Sequence, residues 1–175
     1  MGNSDWETPP EFFERASRAY GPFGLDAAAS KENKKCRFAM GPGNFSRECC
    51  SPHTQDALRG FSWFHEFYVH GLRLSEHVWL NPPYTNLMSW VTKATEESDC
   101  GLTIVMLLPW GQWAEWMELA VKRAEIVRVV GRIRFIDPEA KGRTSPNGMN
   151  ILAIFRPPIE GVTWPVGFTG AAIRA

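Results

Sequence analysis

The sequence lacks a long apolar run, a secretory leader and an excess of either charge. None of its apolar stretches is long enough to cross a bilayer, so we expect a cytoplasmic protein without membrane contact. The formal net charge of zero gives no overall argument for a polyanionic partner. A length of 175 residues and a hydrophobic content of 44% suit a single domain, residues 1–175, with a substantial core.

Cysteine is scarce and has no pairing pattern. Cys36, Cys49, Cys50 and Cys100 form no Cys-x-x-Cys pair, and no secretory context supports disulfides. The first three could surround a zinc ion together with His53, but their spacing matches no common zinc module. We therefore predict reduced thiols and no metal site.

Basic residues are nevertheless concentrated in two segments. Residues 31–47 hold five Lys or Arg against one Glu, and residues 122–143 hold seven against three acidic residues. If both segments lie on one face they can bind phosphates, whereas solvated surface charge is the alternative. The candidates for phosphate contact are Lys34, Lys35, Arg37, Lys141 and Arg143.

Hydrophobic periodicity predicts alternating helices and strands. Helices are expected at 9–20 (with Thr8 as its cap), 87–97 and 113–124, and buried strands at 24–28, 78–80, 102–108 and 126–130. Residues 31–60 are predicted to form a long loop with at most one short helix. The alternating residues 132–136 predict an exposed antiparallel strand paired with a last strand at 149–157. The fold class is therefore α/β, a Rossmann-like three-layer sandwich on a mixed sheet with a terminal antiparallel strand pair.

Two of the predicted strands end in residues suited to a ligand site. Asp26 ends the first strand before a run of alanines, and Asn81-Pro82-Pro83-Tyr84 follows the second. Ligands in such sheets bind at the carboxyl ends of the strands, so both exits are expected on one rim. A buried Asp requires a partner, and a turn or helix cap is the alternative role for Asp26.

The tetrapeptide Asn81-Pro82-Pro83-Tyr84 has the groups needed to activate a planar amine. The Asn81 side-chain oxygen and the Pro82 carbonyl can both accept hydrogen bonds from one NH2 group, which shifts its lone pair out of conjugation with the ring. Tyr84 can stack on that ring, a contact worth about 1–3 kcal/mol per base. Two prolines keep the acceptors fixed. An ordinary turn at a strand exit is the alternative.

This tetrapeptide resembles the catalytic motif of amino-group methyltransferases that use S-adenosylmethionine. With WETPPEFFERASRAYGPFGLDAAAS, NKKC, VWLNPPYTNLMSWVTKA and GRIRFIDPEAKGRTSPNGMNILAIF in this order, residues 6–156 are similar to the small phage-type DNA adenine-N6 methyltransferases. The resemblance implies the methyltransferase fold, S-adenosylmethionine as methyl donor without a metal, and phage or prophage origin. It also implies double-stranded DNA as the substrate, with a flipped adenine as the target.

The resemblance also implies residue roles. Thr8 and Pro9 match a Thr-Pro element that packs on the methionine part of the cofactor, and Asp26-Ala27-Ala28 match the strand exit that binds its amino-acid end. Asp56 matches a contact to the cofactor's adenine or ribose, a helix N-cap being the alternative. The catalytic residues would be Asn81, Pro82, Pro83 and Tyr84, with Asn81 also lining the cofactor site.

The chain departs from the family pattern in several places. Alanines and Ser30 stand where many adenine methyltransferases have a Gly-x-Gly loop, and Ala57 stands where Gly is usual. No separate target-recognition domain is expected within 175 residues, which predicts a short or relaxed recognition sequence. Trp110 and Trp113 are expected in the core, with a wall of the base pocket as the alternative. No oligomeric state is predicted.

Three other functions remain open at this point. The tetrapeptide also fits RNA adenine and protein glutamine as methyl acceptors, although the basic segments favour nucleic acid. A phage protein that binds S-adenosylmethionine or DNA without catalysis is the alternative from a different class. The absence of a Pro-Cys dipeptide argues against methylation at C5 of cytosine. Protection from restriction, as part of restriction-modification, and regulation are both compatible with DNA methylation.

Overall fold

A computed structural model describes residues 6–30, 33–41, 57–58, 62–65, 77–137 and 148–175. The elements bounded within these ranges are α1 (Pro10–Tyr20), β1 (Leu25–Asp26), β2 (Phe38–Ala39), β3 (His77–Leu80), α2 (Leu87–Asp99), β4 (Thr103–Pro109), α3 (Glu115–Arg123), β5 (Ala124–Val130), β6 (Asn150–Phe155) and β7 (Gly167–Arg174). A short 3-10 turn, Tyr84–Asn86, precedes α2. The predicted alternation of helices and strands is confirmed in outline for this part of the chain. The prediction of a loop throughout 31–60 is wrong, because β2 lies within that range and pairs with β1.

The strands form one mixed sheet. Within the described residues its order is β2-β1-β3-β4-β6-β5-β7. Strand β6 is antiparallel to both neighbours, β4 and β5, while the other pairings are parallel. Strands β1 to β5 and β7 therefore point in one direction, and their carboxyl ends meet at one edge. The predicted α/β fold class is confirmed.

The sheet is covered on both faces, as the continuous apolar run predicted. Along β4, Ile104, Met106 and Leu108 face one hydrophobic cluster, and Val105 and Leu107 face the other. The first cluster includes residues of α2 and α3, and the second includes Phe12 and Ala16 of α1. Because strand side chains alternate between faces, a strand buried on both sides must be apolar throughout.

The prediction of a strand at 132–136 is wrong. Only Ile136 pairs there, through an isolated antiparallel bridge to Glu7. The side chains of this segment do alternate between buried and exposed: Ile133 and Phe135 pack in the cluster with α1, whereas Arg132 and Arg134 are exposed. A two-residue alternation in burial therefore occurs here without the continuous backbone pairing of a strand. The antiparallel partners of β6 are β4 and β5.

Strand β7 was missed, so β6 is not the last strand. Its sequence, GFTGAAIR, contains two glycines and no apolar run, and most of its residues are exposed. It pairs with β5 along one side, with a register irregularity between Ile126 and Arg128. Backbone pairing with a free strand edge, more than side-chain burial, places this segment in the sheet. Among the described helices, none combines the length and the apolar character needed to cross a membrane.

Candidate active site

The two predicted strand exits lie at the same edge of the sheet. Asp26 ends β1 and Asn81 follows β3, and these strands are parallel neighbours with Asp26 opposite Trp79. The amide of Ala27 donates to the Trp79 carbonyl at 3.0 Å, so the two chains stay paired up to the exit. The expectation that both motifs share one rim is therefore confirmed.

A cavity of about 280 Å³ opens between these exits. This volume is near the lower end of the range for small-molecule sites, roughly 300–1,000 Å³. Its walls combine apolar side chains with a few polar ones: Trp6, Glu7, Thr8, Asp26, Ala27, Ala28, Ala29, Ser30, Asn33, Lys35, Met40, Gly41, Ala57, Trp79, Asn81, Pro83 and Trp90. The cavity thus brings together residues that were predicted separately from distant parts of the sequence.

Asp26 is a buried carboxylate held by backbone amides. Its Oδ2 accepts a hydrogen bond from the Lys35 amide at 2.9 Å, and the Ala28 amide also contributes. Burial raises the pKa of Asp26 from 3.8 to about 6, against the opposing effects of these amides and the Lys35 charge. The predicted partner therefore exists. The carboxyl also lines the cavity, where it can bind a cationic group.

Thr8 lies in the cavity wall with an unsatisfied hydroxyl. It is 2% exposed, and its Oγ1 has no hydrogen-bond partner among the described residues. The prediction that Thr8 caps α1 is wrong, because Pro9 is the N-cap and no side chain caps the helix. Pro9 itself accepts the first helical amides, from Phe12 and Phe13, and lies outside the cavity wall. An orphaned hydroxyl at the cavity is what a polar ligand would satisfy.

Asn81 is oriented by the segment that leads into α1. Its Nδ2 donates to the carbonyl of Trp6 at 3.2 Å. With the amide nitrogen used in this way, Oδ1 has no hydrogen-bond partner in the described part of the chain and is available as an acceptor at the cavity. Pro83 also lines the cavity, whereas Pro82 is buried beside it.

Tyr84 follows the two prolines in the sequence, and its side chain does not line the cavity. Its ring packs against the cluster that contains α2 and α3, and its hydroxyl accepts a hydrogen bond from Nδ2 of Asn150 at 3.4 Å. Burial raises the pKa of the Tyr84 phenol above its ordinary value, so the phenol is protonated at neutral pH. Stacking of this ring on a base stays a prediction. Asn150 was not found from the sequence, although an Asn opening an apolar strand was a signal.

The chain matches the family model of DNA N-6-adenine-methyltransferase (Dam) over residues 2–166. It belongs to this family. It is 31% identical over 173 residues to a DNA N-6-adenine-methyltransferase of Escherichia phage T1, an alignment that covers 89% of this chain and 64% of that protein. It is also 29% identical over 157 residues to a DNA N-6-adenine-methyltransferase of Haemophilus phage HP1, with coverages of 87% and 78%.

This Dam-family chain therefore spans less than two thirds of the length of the phage T1 relative. No solved structure matches it significantly. The resemblance inferred from the tetrapeptide and its flanking segments is confirmed at the level of the family. Individual residue roles rest on the site geometry.

The predicted phosphate-binding residues Lys34, Lys35 and Arg37 of this Dam-family chain differ in placement. Lys34 is exposed, and Arg37 is exposed with its guanidinium 5.4 Å from the centroid of the Phe38 ring. Lys35 lines the cavity, its side chain is 11% exposed, and its Nζ pairs with Glu7 at 2.5 Å. A contact between Lys35 and DNA stays a prediction, but the geometry favours a role in the cavity.

Other predicted residues lie outside the described ranges. These are Asp56, Lys141 and Arg143, together with Cys49, Cys50 and His53 of the zinc alternative. Cys36 is a free, buried thiol, and burial raises its pKa. Among the residues that the structure describes, no group of three or more His, Cys, Asp or Glu side chains is placed to hold a metal ion.

Glu7 and Gly41 are cavity residues that the sequence reasoning missed. Glu7 pairs with Lys35 through its side chain and with Ile136 through its backbone, so it joins three segments at the rim. Gly41 has φ +136°, and a Cβ added there would lie 2.3 Å from the carbonyl oxygen of Ala29. Only glycine fits this close approach. Neither contact follows from local sequence, because each joins residues far apart in the chain.

Trp110 and Trp113 are not core residues, which corrects the expectation from the sequence. Trp113 is 91% exposed and Trp110 is 37% exposed. Both line a second concavity beside α3, where the Trp110 ring contacts Phe168 with centroids 5.5 Å apart. They follow the carboxyl end of β4, on the same edge of the sheet as Asn81.

Proposed function

We propose that this chain methylates N6 of adenine in double-stranded DNA, with S-adenosylmethionine as the donor. The observation that carries the proposal is the position of Asn81, which lines the same cavity as Asp26 and Thr8. Its Nδ2 is bonded to the Trp6 carbonyl, and its Oδ1 has no hydrogen-bond partner among the described residues. An acceptor for an amine thus adjoins a pocket with cofactor-binding chemistry. Membership in the Dam family supports the same reaction.

The residues of the cavity fit S-adenosylmethionine. The Asp26 carboxylate can bind the ammonium group of its methionine part, and the orphaned Thr8 hydroxyl can bond to a polar atom nearby. Small side chains at Ala27 and Ala28 leave room beside the backbone, in place of the usual glycines. When bound, the cofactor would supply a methyl group to the amine lone pair, and the electrons of the broken S–C bond would stay on its sulfur.

Asn81 and Pro82 would hold the target amine. One N–H donates to Oδ1 of Asn81 and the other to the Pro82 carbonyl, which directs the lone pair toward the donor side of the cavity. The bond from Asn81 Nδ2 to the Trp6 carbonyl fixes the amide so that its oxygen, not its nitrogen, meets the amine. Methylated nitrogen releases its surplus proton to water.

Adenine must leave the duplex to reach this pocket, which costs a few kcal/mol, and stacking on Tyr84 offsets part of that cost. Lys34 and Arg37 are exposed cations that can contact phosphates. Lys141 and Arg143 belong to the segment between Asp137 and Gly148. The flanks of that segment meet the active edge: Ile136 pairs with Glu7, and the Met149 carbonyl accepts from the Trp110 amide.

The test is methyl transfer to unmethylated duplex DNA, followed by nucleoside analysis. N6-methyladenine is the expected product of the wild-type chain, and Asn81→Ala should lower kcat at least about 100-fold, the scale of losing one preorganised polar group. Thr8→Val should weaken S-adenosylmethionine binding while keeping kcat close to wild type at saturation. Asn86→Ala, which removes an exposed amide bonded to Ser89, is the matched control.

Other outcomes assign the chain elsewhere. Methylation of RNA adenine or of protein glutamine, with DNA unmodified, would replace the proposed substrate. Binding of S-adenosylmethionine without transfer to any of the three would favour the non-catalytic alternative. Equal activity of Asn81→Ala and wild type would contradict the assigned role of Asn81 even if DNA is methylated.

A further inference from the structure

Asn150 is a buried polar residue that the proposed reaction leaves without a role. It is 7% exposed and is the first residue of β6, paired in register with Pro109 at the carboxyl end of β4. Its Nδ2 donates to two oxygens, the Leu108 carbonyl at 3.3 Å and the Tyr84 hydroxyl at 3.4 Å. An amide nitrogen carries two hydrogens, so it can make both bonds at once.

The two bonds have different consequences. The one to Leu108 satisfies a backbone carbonyl next to the end of β4, which is a structural role. The one to Tyr84 joins β6 to the loop that follows β3, across 66 positions of sequence. Both distances are at the long end for N–H···O bonds, and bonds of this kind in ligand-free sites often shorten when substrate binds.

Apart from the packing of its ring against the cluster that contains α2 and α3, Tyr84 is held from its backbone end. Two prolines precede it, and it opens the short 3-10 turn before α2. The far end of its side chain is a part-buried, protonated phenol, which favours a hydrogen-bond partner. Within the described part of the chain, Nδ2 of Asn150 donates a hydrogen bond to this hydroxyl.

We propose that Asn150 is a positioning residue for the reaction: it holds the Tyr84 ring at its hydroxyl end, so that the ring keeps a fixed plane against the target base. The inference rests on the proposed function, since it concerns the same reaction. A ring fixed at both ends meets the base without loss of side-chain freedom, which is how preorganisation lowers a barrier.

The proposal is tested with a double-mutant cycle in methyl transfer to unmethylated duplex DNA. Asn150→Ala and Tyr84→Phe should each lower kcat about 3- to 10-fold, the scale of one neutral hydrogen bond. The double variant should be no slower than the slower single variant, because both remove the same contact. The affinity for S-adenosylmethionine should stay within about twofold, because neither side chain lines the cofactor cavity.

Two controls separate positioning from stability. Thr95→Val on α2 also removes one part-buried bond from a side chain to a carbonyl, here that of Val91, and should leave kcat unchanged. Urea unfolding of every variant shows whether it is folded at the assay temperature. If Asn150→Ala is unfolded there, the cycle is measured at a lower temperature where all four proteins are folded.

The outcomes are distinguishable. Losses in kcat that multiply in the double variant would show that Asn150 acts through Leu108, and would overturn the inference while leaving the proposed function intact. Wild-type kcat in Asn150→Ala would do the same. A wild-type chain that binds S-adenosylmethionine but leaves DNA unmethylated would overturn both proposals.

Discussion

The hydroxyl of Thr8 is buried with no hydrogen-bond partner in the described part of the chain, and the carboxyl of Asp26 is buried with a pKa raised to about 6. An unsatisfied buried hydroxyl costs about 1–3 kcal/mol of stability. Packing gives no reason for either cost, since an apolar side chain of similar size would avoid it. Both residues line the same cavity, so both costs fall where a ligand with an ammonium and further polar atoms would bind.

The raised pKa of Asp26 predicts how stability and cofactor binding change with pH. Because the folded pKa of about 6 lies above the ordinary value of 3.8, the folded chain holds this proton more tightly than the unfolded chain. The contribution of Asp26 to stability is therefore most favourable below the unfolded pKa. It declines as pH rises through this window, by an amount on the order of 3 kcal/mol, and then stays constant.

Cofactor binding should follow the opposite trend, because the proposed contact uses the ionised carboxylate. Titration calorimetry should show S-adenosylmethionine affinity falling up to about tenfold as the pH is lowered from about 7 to about 5. Asp26→Asn should bind weakly at both pH values and should lose the decline in stability between them. An affinity of the wild type that is independent of pH in this range would contradict the assigned contact.

At the scale of elements, the sequence predicted the features that local burial patterns determine. It missed the features that depend on contacts between distant segments. The apolar run of β4 and the motif after β3 were found because local composition specifies them. Their meeting at one edge followed from the parallel sheet. The position of Glu7, which joins Lys35 and Ile136, depends on how three separate segments fold together. The same is true of Asn150 beside Tyr84.

The connection between β1 and β2 carries two adjacent lysines with different surroundings. Substituting each one therefore allows their effects on cofactor binding and on DNA binding to be compared. Lys35 is paired with Glu7 in the cavity wall, whereas Lys34 is exposed. Lys35→Met should weaken S-adenosylmethionine binding severalfold, because it removes a charge that favours ionised Asp26. Lys34→Met should leave that affinity unchanged and raise the KM for DNA.

The comparison has its own control. Because Lys35→Met leaves Glu7 without its partner, Glu7→Gln/Lys35→Met restores neutrality at that position. If the double variant recovers stability but not cofactor affinity, the effect belongs to the cofactor site. A Lys35→Met variant that binds the cofactor normally and loses DNA affinity would instead restore the original prediction of a phosphate contact.

Because the molecule as a whole has zero net charge, the placement of its cations determines which face can bind DNA. Several cations at the amino-terminal side of the sheet are paired with acids, including Arg123 with Asp99 and Lys122 with Glu118. Lys34 and Arg37 have no ion pair among the described residues. A DNA-binding face near the cavity should therefore depend on the unpaired cations, although the chain as a whole has no excess charge.

This arrangement predicts a measurable salt dependence. The logarithm of DNA affinity should fall linearly with the logarithm of salt concentration, and Lys34→Ala and Arg37→Ala should each reduce that slope by about 1. Fluorescence anisotropy with a labelled duplex measures it. Lys122→Ala and Arg18→Ala are matched controls, since both residues are exposed and paired within their helices, and their slopes should equal the wild type. If the controls change the slope and Lys34→Ala does not, DNA binds away from the cavity, and the flipped adenine could not reach Asn81 from that face.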